Sequence, residues 1–381
     1  MNNNEMKEVY NEFRQVVRRF AEEKVKPYAA IIDSENRAPE ETFEAARELG
    51  LQGLPFPEEF GGGDADLMLQ VIVTEELARV CASSSLTISS SWLFSVIVEH
   101  GSDELKELVH DVASGAKKAA WCMTEPQAGS DLMAIKGNAK KVDGGWVING
   151  NKRFITNGGW ADWYLVLLRT GSNDDRSFGV FVVSKDDKGI SYGAKEDKMG
   201  QRGSPTSDVI FDDCFVPDFR CIGDPQKGLT YFKNYLKSSR LSISALALGI
   251  AQGALEEAVS YTNERIQMGQ PIAQFQMIKG MIADMAVKVE SSRALLYKAV
   301  DLYMNDEPGV DMFSSMAKIA CCDAAMEVTT DAVQVHGGYG YLKEYPVERM
   351  FRDAKVTQIY DGSNQVMRQI VADQLNKAHK D

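Results

Sequence analysis

Residues Trp121 to Asp131 read W-C-M-T-E-P-Q-A-G-S-D, an apolar run that ends in a turn carrying small hydrogen-bond donors. Pro126 and Gly129 favour the turn, while the Thr124 and Ser130 hydroxyls are short enough to let an anionic or planar ligand come close. The same residues also suit a plain strand-end turn, and this segment alone leaves both readings open. Near the other end of the chain, Ile359-Tyr360-Asp361-Gly362-Ser363 places a carboxylate beside a glycine. A carboxylate held near an acidic carbon can take its proton. Asp-Gly is equally a frequent turn pair, and Asp361 could instead cap a helix that begins near Ser363.

Three further stretches carry donors or close-approach residues: K-R-F-I-T-N-G-G at 152 to 159, R-I-Q-M-G-Q-P-I at 265 to 272, and Q-V-H-G-G-Y-G at 334 to 340. Thr156 offers a hydroxyl but is also an ordinary β-branched strand residue. Gly337 and Gly338 allow a ligand to approach the backbone, or simply end a helix.

The elements that position these residues fall into three parts. Val9, Phe13, Val16, Val17 and Phe20 follow a helical period over 5 to 25, and Pro39 with two glutamates opens a second helix. Two apolar stretches, 67 to 82 and 86 to 100, read as buried helices packed side by side. From about 119 the pattern becomes short β-rich runs separated by Gly, Asp and Asn, as in an antiparallel sheet or barrel. Long helices do not alternate with these strands and no G-x-G-x-x-G is present, so a βαβ nucleotide fold is excluded. Helical periodicity returns over roughly 229 to 267, 274 to 304 and 311 to 336, lengths that suit a four-helix bundle. A last helix follows Gly362, with Val366, Ile370, Val371 and Leu375 as its expected buried face.

With 381 residues, 44% of them hydrophobic, the chain can bury several cores. Its 42 basic and 55 acidic residues give a net charge of -13, which argues against a nucleic-acid surface and requires a local basic pocket for any anionic substrate. The six cysteines show neither metal-ligand spacing nor a secreted disulfide framework, so no metal site is expected and a reduced compartment is. The amino terminus lacks the apolar core of a signal peptide. Val80 to Val98 is uncharged and long enough to span a bilayer, but its serine clusters make it too polar. A cytoplasmic protein with no membrane association is the expectation.

The five segments, in this order and over nearly the whole chain, resemble the acyl-CoA dehydrogenase family. That resemblance implies an α+β multidomain fold: an N-terminal all-α domain at 1–118, a middle antiparallel β-barrel or sandwich domain at 119–226, and a C-terminal four-helix bundle domain at 227–381. It implies FAD as cofactor, an acyl-CoA substrate, an electron-transfer flavoprotein as electron acceptor, and a homotetramer built as a dimer of dimers. Residues matching the flavin site are Trp121, Met123, Thr124, Gly129, Ser130, Phe154 and Thr156, together with Ser363 and Gln365. The family normally has Trp where this chain has Phe154, which keeps stacking but loses an indole donor. Arg265, Gln276, Gln334, Gly337 and Gly338 match residues that reach the dinucleotide from a neighbouring subunit. Ser130 and Arg240 match the coenzyme A side, and Ser91, Leu236 and Gly362 the acyl pocket. Arg240 could instead pair with a carboxylate.

In most of the family the base is the Glu of I-Y-E-G-T, where this chain has Asp361, one methylene shorter. Some members carry Glu just before the long-helix arginine, where this chain has Ser239. A carboxylate withdrawn by about 1 Å loses about a hundredfold in rate unless the substrate or backbone compensates. An acyl group that is cyclic or branched at Cα, such as cyclohexanecarboxyl-CoA, would fill the space; a short or medium straight-chain substrate would need a backbone shift. An enoyl-CoA reductase, a desulfinase-like enzyme and a non-catalytic acyl-CoA or flavin-binding scaffold are further readings. The serines at 89 to 91 leave room for an acyl group or cap a helix. Cys122 and Met123 are expected to pack rather than to tune a cofactor.

Overall fold

The computed structural model describes residues 3–171 and 176–379. The chain opens with α1 (Asn3–Phe20), which is seated through Val17 with Phe13 and Phe20 against the same cluster. Val16, about 100° round the helix from Val17, is exposed instead of sharing that face. Helices α2 (Ala29–Ser34), α3 (Glu40–Glu48), α4 (Leu67–Ala78), α5 (Ala82–Ser89), α6 (Ser95–His100) and α7 (Asp103–Ala113) complete the first part. Asp66 caps α4 by accepting the Leu69 N–H at 2.9 Å, and Ser102 caps α7 through Leu105 N–H at 3.3 Å. The stretch expected to form one helix over 86 to 100 is broken by a 3-10 turn at Ser90–Phe94. Among the described residues no helix is long and apolar enough to cross a membrane.

Seven strands follow: β1 (Ala119–Cys122), β2 (Asn138–Val142), β3 (Gly145–Thr156), β4 (Trp163–Arg169), β5 (Phe178–Ser184), β6 (Ile190–Tyr192) and β7 (Thr206–Pro217). They lie in the order β1-β4-β2-β3-β7-β6, with β5 also paired to β4. Most neighbours are antiparallel, but β1 runs parallel to β4, from Ala119 opposite Trp163 to Cys122 opposite Val166. That departs from a wholly antiparallel sheet because the β2–β3 hairpin lies between them in sequence, and so long a connection can return the chain in its starting direction.

The third part contains α8 (Gly228–Glu264), a small hairpin of β8 (Ile266–Gln267) and β9 (Gln270–Pro271), then α9 (Gln276–Met304), α10 (Val310–His336), α11 (Pro346–Thr357) and α12 (Asn364–Ala378). Leu241, Leu248, Val289, Leu296, Val328 and Ala354 share one core. Helix α11 was not foreseen, although Pro346 at its first turn is a helix-start signal. The buried face expected for α12 is also smaller: Met367 is buried, whereas Leu375 is 52% exposed. The helix rests on α10 by its first turns, where Asn364 donates to Asp323; Val366, Ile370 and Val371 are half-buried and only Leu375 of the expected face is exposed.

Two features lock the N-terminal helices onto α8 and α9. A Cβ at Gly249 would lie 2.3 Å from the Glu75 carbonyl oxygen and one at Gly253 2.1 Å from that of Arg79, so only glycine permits this crossing of α4 and α8. Beside the crossing, buried Glu75 pairs with Arg14 and Arg293, each at 2.9 Å, which charge-links α4 to α1 and α9.

Candidate active site

The T-E-P turn is fixed from beneath by an ion pair that its motif alone did not reveal. Lys152 on β3 is fully buried and donates to Glu125 Oε1 at 2.8 Å, to the Leu167 carbonyl at 2.7 Å and to the Met123 carbonyl at 3.1 Å. Glu125 also accepts the Lys136 and Gly137 N–H groups at 2.8 and 3.0 Å. Burial opposes its charge, yet Lys152 and these two N–H groups hold its carboxyl below the usual range. Burial lowers the Lys152 ammonium despite Glu125. Each residue sits inside a motif segment, but nothing local in the sequence joins the two.

On this support, Thr124 is tied to β3 by its carbonyl, which accepts the Arg153 N–H at 2.7 Å. The register of β3 against β7 slips between Lys152 and Ile155, a bulge that places Phe154 at φ +58°. Phe154 is thereby turned outward, 60% exposed, with the Arg153 guanidinium 4.5 Å from its ring centre. The Thr124 and Thr156 hydroxyls have no hydrogen-bond partner among the described residues, and both side chains are half-buried. Gly129 and Ser130 are exposed on the turn. Burial pushes the Cys122 thiol well above its ordinary range, so it packs as a neutral group in the sheet core.

Trp121 links the sheet to α8. Its ring stacks on Phe232 at 5.4 Å and on Tyr235 at 5.7 Å, and its indole N–H is buried without a partner among the described residues. One turn further along α8, Ser239 Oγ donates to Asp361 Oδ2. Asp361 stands at φ +50° and Gly362 at φ +89°, a left-handed pair that turns the chain between α11 and α12. The turn is held from α10: buried Lys318 donates to the Gly362 carbonyl at 2.7 Å and to Asn364 Oδ1 at 3.1 Å. Ser363, not Asp361, caps α12 by accepting the Val366 N–H at 3.3 Å, which removes the capping role considered for Asp361. The carboxylate is half a turn too early in the chain and faces α8.

Arg240 follows Ser239 and is 9% exposed. Its nearest carboxylate is Asp311 at 4.0 Å, its Nε has no partner among the described residues, and burial lowers its pKa below the ordinary range. The pairing that would make it purely structural is therefore weak. Leu236 is half-buried near Trp121 in the same cluster. Ser91 is buried with an unpartnered hydroxyl, whereas Ser89 and Ser90 bond back to the Leu86 and Thr87 carbonyls. Ala245, about a turn and a half beyond Arg240 on α8, is packed in the helical core.

The remaining predicted residues are elsewhere. Arg265, Gly337 and Gly338 line a cleft of about 410 Å³ with Tyr261, His336 and Tyr339. Arg265 lies 5.1 Å from the Tyr339 ring centre, and a Cβ at either glycine would meet nothing, so the cleft is open to a ligand. Gln334 and Gln276 are exposed, the latter opening α9. At 1.5 Å per residue, α8 separates Arg240 from Arg265 by about 37 Å. Gln365 is exposed at the start of α12. The structure thus separates Trp121, Leu236, Arg240 and Asp361, along the first half of α8, from Arg265, Gly337 and Gly338 beyond its C-terminal end.

The exposed Phe154 ring and the unpartnered Thr124 and Thr156 hydroxyls lie in the two motif segments joined by the Arg153–Thr124 bond, while Arg265 stands beside two open glycines. Family models described as the N-terminal, middle and C-terminal domains of acyl-CoA dehydrogenase match residues 7–116, 120–214 and 226–376. The chain belongs to the acyl-CoA dehydrogenase family, whose members use FAD and act on the CH–CH group of acyl-CoA.

Among its relatives, the short-chain-specific acyl-CoA dehydrogenase of Clostridium acetobutylicum is 41% identical, over 95% of this chain and 96% of the relative. Cyclohexane-1-carbonyl-CoA dehydrogenase of Geobacter metallireducens is 40% identical with the same coverage of each, 95% and 96%. Butyryl-CoA dehydrogenase from Megasphaera elsdenii superposes with a TM-score of 0.92 at 37% identity, covering 96% of this chain and 98% of its own.

Proposed function

We propose that this protein dehydrogenates an acyl-CoA that is cyclic or branched at Cα, with cyclohexanecarboxyl-CoA as the best fit, and that Asp361 is the base. The observation that carries this reading is the Ser239–Asp361 hydrogen bond, which turns a short carboxylate toward α8 near Tyr235 and an under-partnered Arg240. Bound FAD supplies the acceptor for the hydride leaving Cβ. Asp361 takes the Cα proton, and its own backbone N–H, which makes no hydrogen bond within the described residues, is left to polarise the thioester carbonyl. Arg240 and Ser130 bind the coenzyme A side, while Leu236, Ser91 and Gly362 border the acyl group.

Trp121, Met123, Thr124, Gly129, Ser130, Phe154 and Thr156 would hold the ring, with Ser363 and Gln365 near its edge. Arg265, Gln276, Gln334, Gly337 and Gly338 would hold the dinucleotide of a neighbouring chain. The span of about 37 Å between the two sets supports this division of labour and hence an oligomer, with the homotetramer of the family as the expected form. Electrons would pass to an electron-transfer flavoprotein. The free cysteines suit a reducing, cytoplasmic setting. Domain limits at 118/119 and 226/227 fit the change from helices to strands and back.

The relative from Geobacter metallireducens acts on a cyclic acyl group by its name, and the relative from Clostridium acetobutylicum is named for short chains. Steady-state turnover with cyclohexanecarboxyl-CoA and butyryl-CoA separates the two. The largest kcat/KM is expected for the cyclohexane substrate, and a largest value for butyryl-CoA would overturn the cyclic assignment.

A further inference from the structure

We propose that Ser239 is a positioning residue for proton removal: its hydroxyl fixes Oδ2 of Asp361 and thereby makes Oδ1 the proton-accepting oxygen. The inference rests on Asp361 being the base. It starts from a contrast within α8. Serine hydroxyls in helices ordinarily bond back to a carbonyl one turn earlier. Ser238, Ser242 and Ser244 do so, to the carbonyls of Tyr235, Ser238 and Arg240 at 3.0, 3.4 and 2.6 Å. Ser239 instead leaves its helix and donates to Asp361.

The loop bearing Asp361 is fixed independently, by Lys318 on the Gly362 carbonyl and by the Ser363 cap. With the backbone held, the freedom that remains to the carboxylate is rotation about its two side-chain torsions. Ser239 removes it. Among the described residues Oδ1 has no hydrogen-bond partner, so one oxygen is anchored and the other is unengaged. Tyr235, one turn before Ser239, meets the same hydroxyl; burial, with the Asp361 carboxylate adding to it and the Ser239 hydrogen bond opposing, pushes its phenol far above the ordinary range, so it stays protonated. In the step itself, the Cα–H bond breaks and an O–H bond forms at Oδ1. The electron pair left on Cα becomes the Cα–Cβ double bond as hydride departs to FAD.

The test compares Ser239→Ala, Ser239→Thr and Asp361→Asn as FAD-loaded proteins. It follows deuterium exchange at Cα of a bound acyl-CoA by NMR, with acyl-CoA affinity measured by calorimetry. For Ser239→Ala, exchange should fall about tenfold to a hundredfold, with affinity and FAD content unchanged, because the charged carboxylate loses a hydrogen bond and a fixed orientation. Ser239→Thr, which keeps the hydroxyl, should restore the rate. Unchanged exchange in Ser239→Ala, a fall in acyl-CoA affinity that accounts for the slower exchange, or no recovery in Ser239→Thr would each overturn the proposal. Exchange persisting in Asp361→Asn would overturn the base assignment and this inference with it, whereas its loss there beside normal Ser239→Ala leaves the base assignment standing and removes only the role of Ser239.

Discussion

Lys152 Nζ and Glu125 Oε1 meet at 2.8 Å with side-chain exposures of 0% and 3%, directly beneath the turn that carries Thr124. A buried pair of this kind gains little over an apolar replacement but is costly to halve. Its function here is to set the height of the T-E-P turn against β3.

Lys152→Met should therefore lower unfolding free energy by about 3–5 kcal/mol, because Glu125 is left as a buried, unmatched charge. The double variant Glu125→Gln with Lys152→Met should recover part of that loss. Urea denaturation of the three proteins checks this. Equal stability of Lys152→Met and the parent would show that the pair is not coupled.

Asp353 on α11 gives a pH prediction. Burial pushes its carboxyl up to about 6, with Arg349 and the Gln201 N–H pulling partly against it. A raised folded pKa means that the unfolded chain releases this proton first as pH rises. The contribution of Asp353 to stability is thus present below about pH 4 and is lost between about pH 4 and 6. Relative to Asp353→Asn, the parent should lose up to about 3 kcal/mol across that window. Parallel pH–stability curves for the two proteins would contradict it.

Arg265 stands in an open cleft far from Asp361, so its loss should affect cofactor retention and leave proton removal by loaded protein intact. Arg265→Ala should weaken FAD binding by about tenfold or more, and Arg265→Lys should recover only part, because a single ammonium cannot reproduce the paired donors of a guanidinium. Fluorescence titration of apoprotein with FAD measures both. Parent-like affinity in Arg265→Ala would remove the cleft from the cofactor site.

The order helix, sheet, helix was legible from periodicity because each part buries one face and repeats at 3.6 or 2 residues. Thr124 and Asp361 were legible as chemically apt residues in turns, and Trp121 and Thr156 as strand residues of the motif segments. What the sequence hid depends on contacts distant in the chain. Glu125 and Lys152 are 27 positions apart, and Ser239 and Asp361 are 122 apart, so no local pattern joins them. The parallel pairing of β1 with β4 is likewise invisible to alternation, which records faces and not directions. Phe154 reads as an ordinary strand residue until the bulge turns it outward. Ser363 and Asp361 both carry a side chain able to cap α12, and only the backbone angles at 361 and 362 decide between them.

Removal of the Cα proton by the Asp361 carboxylate, as proposed, is tested with Asp361→Asn purified with FAD and incubated anaerobically with cyclohexanecarboxyl-CoA in deuterated buffer, through deuterium entry at Cα. Full FAD retention is expected, with exchange lost by at least about a hundredfold. Exchange at the parent rate from flavin-loaded Asp361→Asn would remove Asp361 as the base.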